Sequence, residues 1–415
     1  MTRPPLAYRL ASLGLASPLV GHALYRACRD GGRAYLRGRL GLDRAGLANP
    51  VWVHCASVGE VAAAAPLLAE LHDAGIGPLL VSTSTPTGRE RARRDLPAGI
   101  ALVYAPLDRP GAVRRFLARN RPRAALILET ELWPHLFAAL THRDIPIVLV
   151  NGRLSPRTMD APAWWRRTAG WCLRCTTHIL ARSAADRERF LALGIDGGRV
   201  TTVGSLKLAA ATGPAPAPID LGHPFVLAAS THADEELGLA RAWRAHADAG
   251  HLLVIAPRHP ERGRGLAQAL AAEGLAVTRR SEGASPPSDH GIYLADTLGE
   301  LGGLMTGAEL VIMGGSFIPR GGQNVVEAAR AGRAIITGPH MHNFADETAR
   351  LAAAGALVQV DDTAGAVEQA HGLLADPERR TAMGMAAQAV LRTESDMAAR
   401  YSQALLDILP SLRQP

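Results

Sequence analysis

The chain has 415 residues, 47% hydrophobic and 20% charged, with a net charge of +7. This is globular composition, which excludes an intrinsically disordered chain, and the length suffices for two or three cores. Aromatics make up only 4% and do not interleave with basic residues, which argues against nucleic acid and for an anionic membrane surface or a phosphorylated substrate.

In chain order, Leu10–Leu24 is mostly apolar, preceded by Arg3 and Arg9 and followed by Arg26, Arg29, Arg33, Arg37 and Arg39. A spanning helix needs roughly 20 apolar residues, and this run is shorter and contains Pro18 and His22. It reads better as a segment lying on a membrane face, with a plain capping helix as the alternative. Seven short apolar runs then alternate with amphipathic stretches: Val51–His54, Leu79–Thr83, Ala101–Tyr104, Ala124–Leu128, Ile147–Asn151, His178–Ala181 and Val200–Val203. Residues 209–222 are small and proline-rich, as linkers are. Seven more runs follow: Phe225–Ala229, Leu252–Ala256, Leu275–Thr278, Ile292–Ala295, Leu310–Met313, Ala334–Thr337 and Leu357–Val360, and then a helical tail over Pro377–Leu412. Such alternation predicts two α/β halves with parallel sheets, each Rossmann-like, facing a cleft. Cys28, Cys55, Cys172 and Cys175 form no disulfide framework, so a reducing compartment is expected. Cys172 and Cys175 lack a second ligand pair for zinc and read as buried thiols on a helix.

One residue stands apart by composition. Lys207 is the only lysine among 45 basic residues. It ends Gly204-Ser205-Leu206-Lys207, immediately before the linker. A compact ammonium does what a guanidinium fork cannot at close range to a phosphate or carboxylate, although a surface lysine also arises by chance.

No P-loop and no G-x-G-x-x-G fingerprint occurs, so chemistry is sought where strands run into helices. After the first run, Ser57-Val58-Gly59-Glu60 puts a carboxylate in the first turn of a helix, where the free N–H groups are expected to keep it ionised as a general base. A helix-start glutamate with no other task is the competing account. Glu129-Thr130-Glu131 follows the fourth run. Two carboxylates spaced by one residue can share a site, but Glu131 reads better as the cap of the next helix. The third junction, Gly314-Gly315-Ser316 through Asn324 and Glu327, offers paired glycines whose N–H groups can approach an anion. Glu327 is placed there either to accept from ribose hydroxyls or to cap. Pro257-Arg258-His259 and Lys207 are the nearby cationic candidates.

These motifs together resemble the 3-deoxy-D-manno-octulosonic acid (Kdo) transferases, a GT-B glycosyltransferase family. The matching stretches are Ser57–Glu60, Thr85–Gly88, Glu129–Pro134, Arg153–Ser155, Gly204–Lys207, Arg258–Arg262 and Gly314–Glu327, in the family's order. The resemblance implies inverting transfer of Kdo from CMP-Kdo to the lipid A precursor, lipid IVA, in lipopolysaccharide synthesis. It implies Glu60 as general base, with Glu129 and Lys207 assisting. It implies CMP contacts from Pro257, Arg258, Leu298, Gly299, Glu300, Gly315, Ser316, Asn324, Val325, Val326 and Glu327. No metal and no cofactor is expected, and the implied place of action is the cytoplasmic face of the inner membrane.

The expected division is a membrane-associated segment 1–45, an acceptor-binding domain 46–208, the linker 209–222, and a CMP-Kdo-binding domain 223–415 whose last helix is a candidate to return to the first domain. The chain departs from the family at Gln323, where His is usual, and at Gly152, where Ala is common. The competing readings are another GT-B enzyme, such as a lipid A disaccharide synthase-like transferase or an epimerase, and a non-enzymatic peripheral membrane protein.

Overall fold

A computed structural model describes residues 3–14, 21, 25–206, 215–246, 250–287, 291–393 and 396–413. Most of the apolar run Leu10–Leu24, Lys207 and the first part of the linker lie outside the described residues. The chain forms two compact units, one of residues 1–210 with 396–415, the other of residues 211–395.

The first unit is built on seven parallel strands: β1 (Val51–His54), β2 (Leu79–Thr83), β3 (Ala101–Tyr104), β4 (Ala124–Leu128), β5 (Ile147–Gly152), β6 (His178–Ala181) and β7 (Val200–Thr202). Their spatial order is β3-β2-β1-β4-β5-β6-β7, so the order reverses between β1 and β4. Side chains alternate faces along each strand. Val51, Val53, Val81, Leu126, Leu128, Val148 and Val150 face the helix Val58–Asp73. Trp52, Leu80, Ala125, Ile127 and Leu149 face the other way, onto helices that carry Phe116, Phe137, Trp171 and Phe190. Because both faces are covered, the inner strands read as continuous apolar runs, whereas the edge strand β7 is Val-Thr-Thr with both threonines exposed.

The last helix, Met397–Ile408, joins this unit and not the second. Met397, Tyr401, Leu405, Leu409 and Leu412 enter the core on the Val58–Asp73 side. The span 223–415 is therefore divided, and its final residues complete the first core. Residues 32–45 also belong to this unit. Tyr35 and Arg39 are buried, and Asn120 holds the backbone of Asp43 and Ala45 through bonds of 3.1 and 2.9 Å.

The second unit repeats the scheme with β8 (Phe225–Thr231), β9 (Leu252–Pro257), β10 (Val277–Arg279), β11 (Ile292–Leu294), β12 (Leu310–Met313), β13 (Ala334–Thr337) and β14 (Leu357–Gln359), again all parallel. The order is β10-β11-β9-β8-β12-β13-β14, reversing between β8 and β12. The helical tail is two helices, Pro377–Thr393 here and Met397–Ile408 on the first unit.

Where β12 ends beside β8 the backbones come close. A Cβ on Gly314 would stand 2.6 Å from the Thr231 Cα and 2.8 Å from the Ser230 carbonyl oxygen. Backbone atoms on two paired strands cannot yield cheaply. Gly314→Ala is expected to cost about 2 kcal/mol, read as a lower midpoint in urea unfolding at unchanged slope.

Candidate active site

In an open parallel sheet the crevice for a ligand lies beyond the carboxyl ends of the strands where the strand order reverses. In the first unit that point is flanked by β1 and β4, which pair directly. The segment after β1 carries Glu60 and the segment after β4 carries Glu129 and Glu131.

Ser57 caps the helix Val58–Asp73, its hydroxyl oxygen accepting the Glu60 N–H at 3.3 Å and donating to the Glu60 carboxyl at 2.9 Å. The Ala56 N–H donates to the other carboxyl oxygen at 2.8 Å. The cap is thus reciprocated by the Glu60 side chain, which reaches the Ser57 hydroxyl and the N–H of the residue before the cap. It does not keep the carboxyl ionised as the sequence led us to expect. Burial and, next, the charge of Glu131 push the Glu60 pKa up to about 8, outweighing the Ala56 and Ser57 bonds; Glu129 adds to the rise. Near neutral pH the resting group is mostly protonated and poised to exchange its proton.

Glu131 corrects a second expectation. The cap position of the helix Pro134–Thr141 is Trp133, and Glu131 instead accepts the Trp133 indole N–H at 2.9 Å. Its own pKa is raised, chiefly by burial, with Trp133 and Arg39 opposing. Glu129 sits at φ 54, in the left-handed region, where the chain turns out of β4; its N–H donates to the Val150 carbonyl at 2.9 Å.

Arg39 was grouped with the membrane-facing arginines and is not one of them. It is 8% exposed, donates to the Ala105 carbonyl at 2.9 Å, and lies 5.9 Å from the Tyr35 ring. Its charge acts on Glu131 and on His54. His54, with Nδ1 2.9 Å from the Ser82 hydroxyl, is pushed down to about 4 by burial and then by Arg39, so it is neutral. The signal for Arg39 in the sequence was its place four residues after Tyr35 on one helix. Nothing local told that this face turns inward.

In the second unit Pro257, Arg258, Leu298 and Gly299 come together. With Ser230, Ala295 and Thr297 they line an open pocket at the carboxyl ends of β8, β9 and β11. Arg258 is exposed, and Leu298, 84% exposed, offers an apolar surface at the rim.

Other expected contacts are committed elsewhere. Glu300 is bound by Arg280 at 2.6 and 2.8 Å and by the Thr297 hydroxyl, which hold its pKa down at about 2. The glycine-rich loop is filled from within. The buried Glu235 carboxylate accepts the N–H groups of Gly315 at 2.8 Å, Phe317 at 3.0 Å and His232 at 3.0 Å. The buried Ser316 hydroxyl bridges the Met313 carbonyl at 2.5 Å and the Gly338 N–H at 2.7 Å. The Gly315 N–H and the Ser316 hydroxyl are therefore engaged within the chain.

Asn324 caps its short helix at the Val326 N–H, 3.1 Å away, and its amide nitrogen reaches Glu327 at 3.4 Å. Glu327 is thus the partner of the cap and not the cap. Val325 and Val326 are buried, and the stretch Asn324–Glu327 is not part of the pocket lining. Lys207 lies outside the described residues. Among those residues, no three His, Cys, Asp or Glu side chains gather to hold a metal ion. Cys172 is buried and Cys175 half-buried on the helix Ala163–Cys175, and burial raises both thiols.

Residues 34–210 match the family model described as 3-deoxy-D-manno-octulosonic-acid transferase. A 3-deoxy-D-manno-octulosonic acid transferase of Bordetella pertussis is 38% identical over 97% of this chain and 99% of its own. The chain belongs to that transferase family. A member from Haemophilus influenzae is 32% identical over 86% of each chain. This transferase is accordingly a glycosyltransferase. In fold it is similar to a Listeria monocytogenes protein described as a UDP-N-acetylglucosamine 2-epimerase, at a TM-score of 0.62 and 15% identity, covering 88% of this chain and 98% of the other. That likeness speaks for a GT-B-like α/β fold alone, and the identity to transferases is what separates this chain from an epimerase.

The raised Glu60 pKa ties the site to stability. The folded transferase keeps that proton up to about pH 8, whereas the unfolded chain releases it near the ordinary 4.5. The group therefore favours the fold most below 4.5 and loses that contribution as pH rises through 8. Glu60→Gln is expected to raise the melting temperature at pH 9 by roughly 3 °C or more and to change it little at pH 4. An equal melting temperature at pH 9 would contradict the burial of an unpaired carboxylate.

Proposed function

We propose that this transferase moves Kdo from CMP-Kdo to the lipid A precursor, lipid IVA, with inversion and without a metal, in lipopolysaccharide synthesis. The near-full-length identity to a Kdo transferase carries this reading. In it, the acceptor hydroxyl attacks the anomeric carbon of Kdo, the bond from that carbon to the phosphate oxygen breaks, and CMP leaves. Glu60 takes the hydroxyl proton. Its pKa near 8 makes it a stronger base than an ordinary carboxylate, and the charge of Glu131 contributes to that strength. Glu129 and Lys207 stabilise charge developing at the reacting centre. Pro257, Arg258, Leu298 and Gly299 hold the donor, with the exposed Arg258 guanidinium toward phosphate.

The test is Kdo transfer from CMP-Kdo to lipid IVA by the full chain. Wild type is expected to transfer, with kcat/KM rising with pH up to a plateau governed by a pKa near 8. Glu60→Gln is expected to lose at least a hundredfold. Full activity in that variant removes Glu60 as the base, and no transfer by wild type removes the family reading of the substrate.

We further propose that the first unit works at the cytoplasmic face of the inner membrane, docked by its first helix. No helix among the described residues is long and apolar enough to span a membrane. The helix Leu6–Gly14 is laid on with its polar side inward. Tyr8 donates to Asp108 at 2.7 Å, Ser12 lies 3.2 Å from His135, and Arg109 donates to the Ser12 carbonyl. Leu6, Leu10 and Leu13, spaced to share one stripe, are 60–64% exposed. The neighbouring helix Ala163–Cys175 adds the exposed Trp164 beside Arg166 and Arg167.

Leucines facing outward over a polar inner side suit a lipid surface, and tryptophan suits its headgroup layer. Each leucine inserted contributes about 1.5–3 kcal/mol. Substituting Leu6, Leu10 and Leu13 together with Ser is expected to abolish co-flotation of the full chain with anionic phospholipid vesicles. Unchanged flotation would overturn this mode of docking.

A further inference from the structure

We infer that Arg280 is a positioning residue for the nucleotide donor, acting on the loop that forms one rim of the open pocket in the second unit. The inference rests on the proposed donor role of that pocket. Thr297, Leu298 and Gly299 are the part of the pocket lining that follows β11. Just before them the Ala295 N–H makes a further bond in sheet fashion, to the Ile255 carbonyl at 2.8 Å. Just after them the next helix begins, with the Glu300 carbonyl accepting the Leu304 N–H at 3.0 Å. Between these points the rim bends at Gly299, at φ 85, and carries the outward-facing Leu298. Such a loop takes its place from whatever holds its flanks.

Two consecutive arginines hold them. Arg279, the last residue of β10, donates to the Asp296 carboxyl from Nε at 2.9 Å and from a terminal nitrogen at 2.7 Å. The Ser281 N–H and hydroxyl reach the same carboxyl at 3.0 and 2.8 Å. On the other flank Arg280 grips Glu300 as a fork, Nε to one oxygen at 2.8 Å and a terminal nitrogen to the other at 2.6 Å. Glu300 also accepts the Thr297 hydroxyl, so one carboxylate ties the start of the rim to its end. The remaining Arg280 nitrogen is 3.5 Å from the hydroxyl of the buried Tyr293 on β11, which braces the arginine from the sheet.

The two ion pairs differ in depth. Asp296 is buried, and its pair with Arg279 belongs to the fold. The Arg280 and Glu300 side chains remain 24% and 31% exposed. A pair at that exposure adds little to stability, whereas its two parallel bonds fix a direction. What the second pair decides is therefore where the rim stands. It also neutralises a carboxylate that directly adjoins the pocket lining and that would otherwise repel the phosphate of an incoming nucleotide. Arg280 touches no reacting atom in this account; it acts through Glu300 and the rim.

The test uses the full chain, with CMP binding read by titration calorimetry and steady-state transfer from CMP-Kdo to lipid IVA measured beside it. Arg280→Ala is expected to weaken CMP about tenfold and to raise the KM for CMP-Kdo to the same degree, with kcat and the KM for lipid IVA within about twofold of wild type. Arg280→Lys keeps the charge without the fork and is expected to recover only part of that affinity. In a Glu300→Gln background, Arg280→Ala is expected to cause less than about a twofold further loss, because the carboxylate it holds is gone.

Wild-type CMP affinity in Arg280→Ala overturns the inference. So does an equal fold-loss with and without the Glu300 carboxylate, a loss confined to kcat, or full recovery in Arg280→Lys, which would assign the effect to charge alone. Absence of CMP binding by wild type is a distinguishable failure, since it removes the donor reading of the pocket itself.

Discussion

A sheet of parallel strands covered by helices on both faces leaves one natural opening, where neighbouring strands send their following segments in opposite directions. Both units of this chain depend on that constraint. In the first, β1 and β4 are the diverging pair, and Glu60 and Glu129 follow from them. In the second, β8 and β12 diverge, and His232 and the loop from Gly314 follow. The apolar strands do the folding, and the few polar residues beyond their carboxyl ends are free to be chosen for chemistry.

The two openings use carboxylates in opposite ways. In the first unit, Glu60 is buried beside another acid with too few donors to stay ionised. That is a cost to the fold and a gain in basicity. In the second, Glu235 is wholly buried and accepts three backbone N–H groups, so its work is architectural. It holds the glycine-rich turn in shape from inside. The open pocket lies one strand over, toward β9 and β11, where Arg258 is exposed.

How much of this was legible in the sequence follows from how far each determinant lies along the chain. The strands of both sheets were legible, chiefly because a strand buried on both faces must be apolar throughout, as β4, β9 and β12 are. The weakly buried β10 begins two residues later and ends one later than expected, at Val277–Arg279, and β8 runs two residues further, to Thr231. Glu60 was legible as a helix-start carboxylate after a strand. Its protonation state was not, because Glu131 lies seventy-one positions away and depth of burial belongs to the tertiary fold. Arg39 looked like one arginine among several, and only its packing against Tyr35 and Ala105 sets it apart. At Gly315 the Glu235 carboxyl takes the N–H that the sequence offered to an anion. A glycine-rich turn looks the same in sequence whether its N–H groups face a ligand or a glutamate eighty residues earlier. Lys207 was conspicuous by its uniqueness, and it lies outside the described residues.

The return of the last helix also sets the order in which the protein can be completed during synthesis. The second unit is one continuous stretch of chain, and all its residues have been made by Ser395. The first unit has most of its residues by Ala210, but five of its buried core side chains, from Met397 to Leu412, emerge only after the second unit has been made. Until then the face of the sheet beside the helix Val58–Asp73 is uncovered, and the Gly204 carbonyl lacks the Tyr401 hydroxyl. A nascent chain stalled or cleaved before residue 396 would therefore carry a finished second unit joined to an open first one, the kind of exposed apolar surface that chaperones and proteases recognise. The first core is therefore complete only when the segment that follows the second unit is in place.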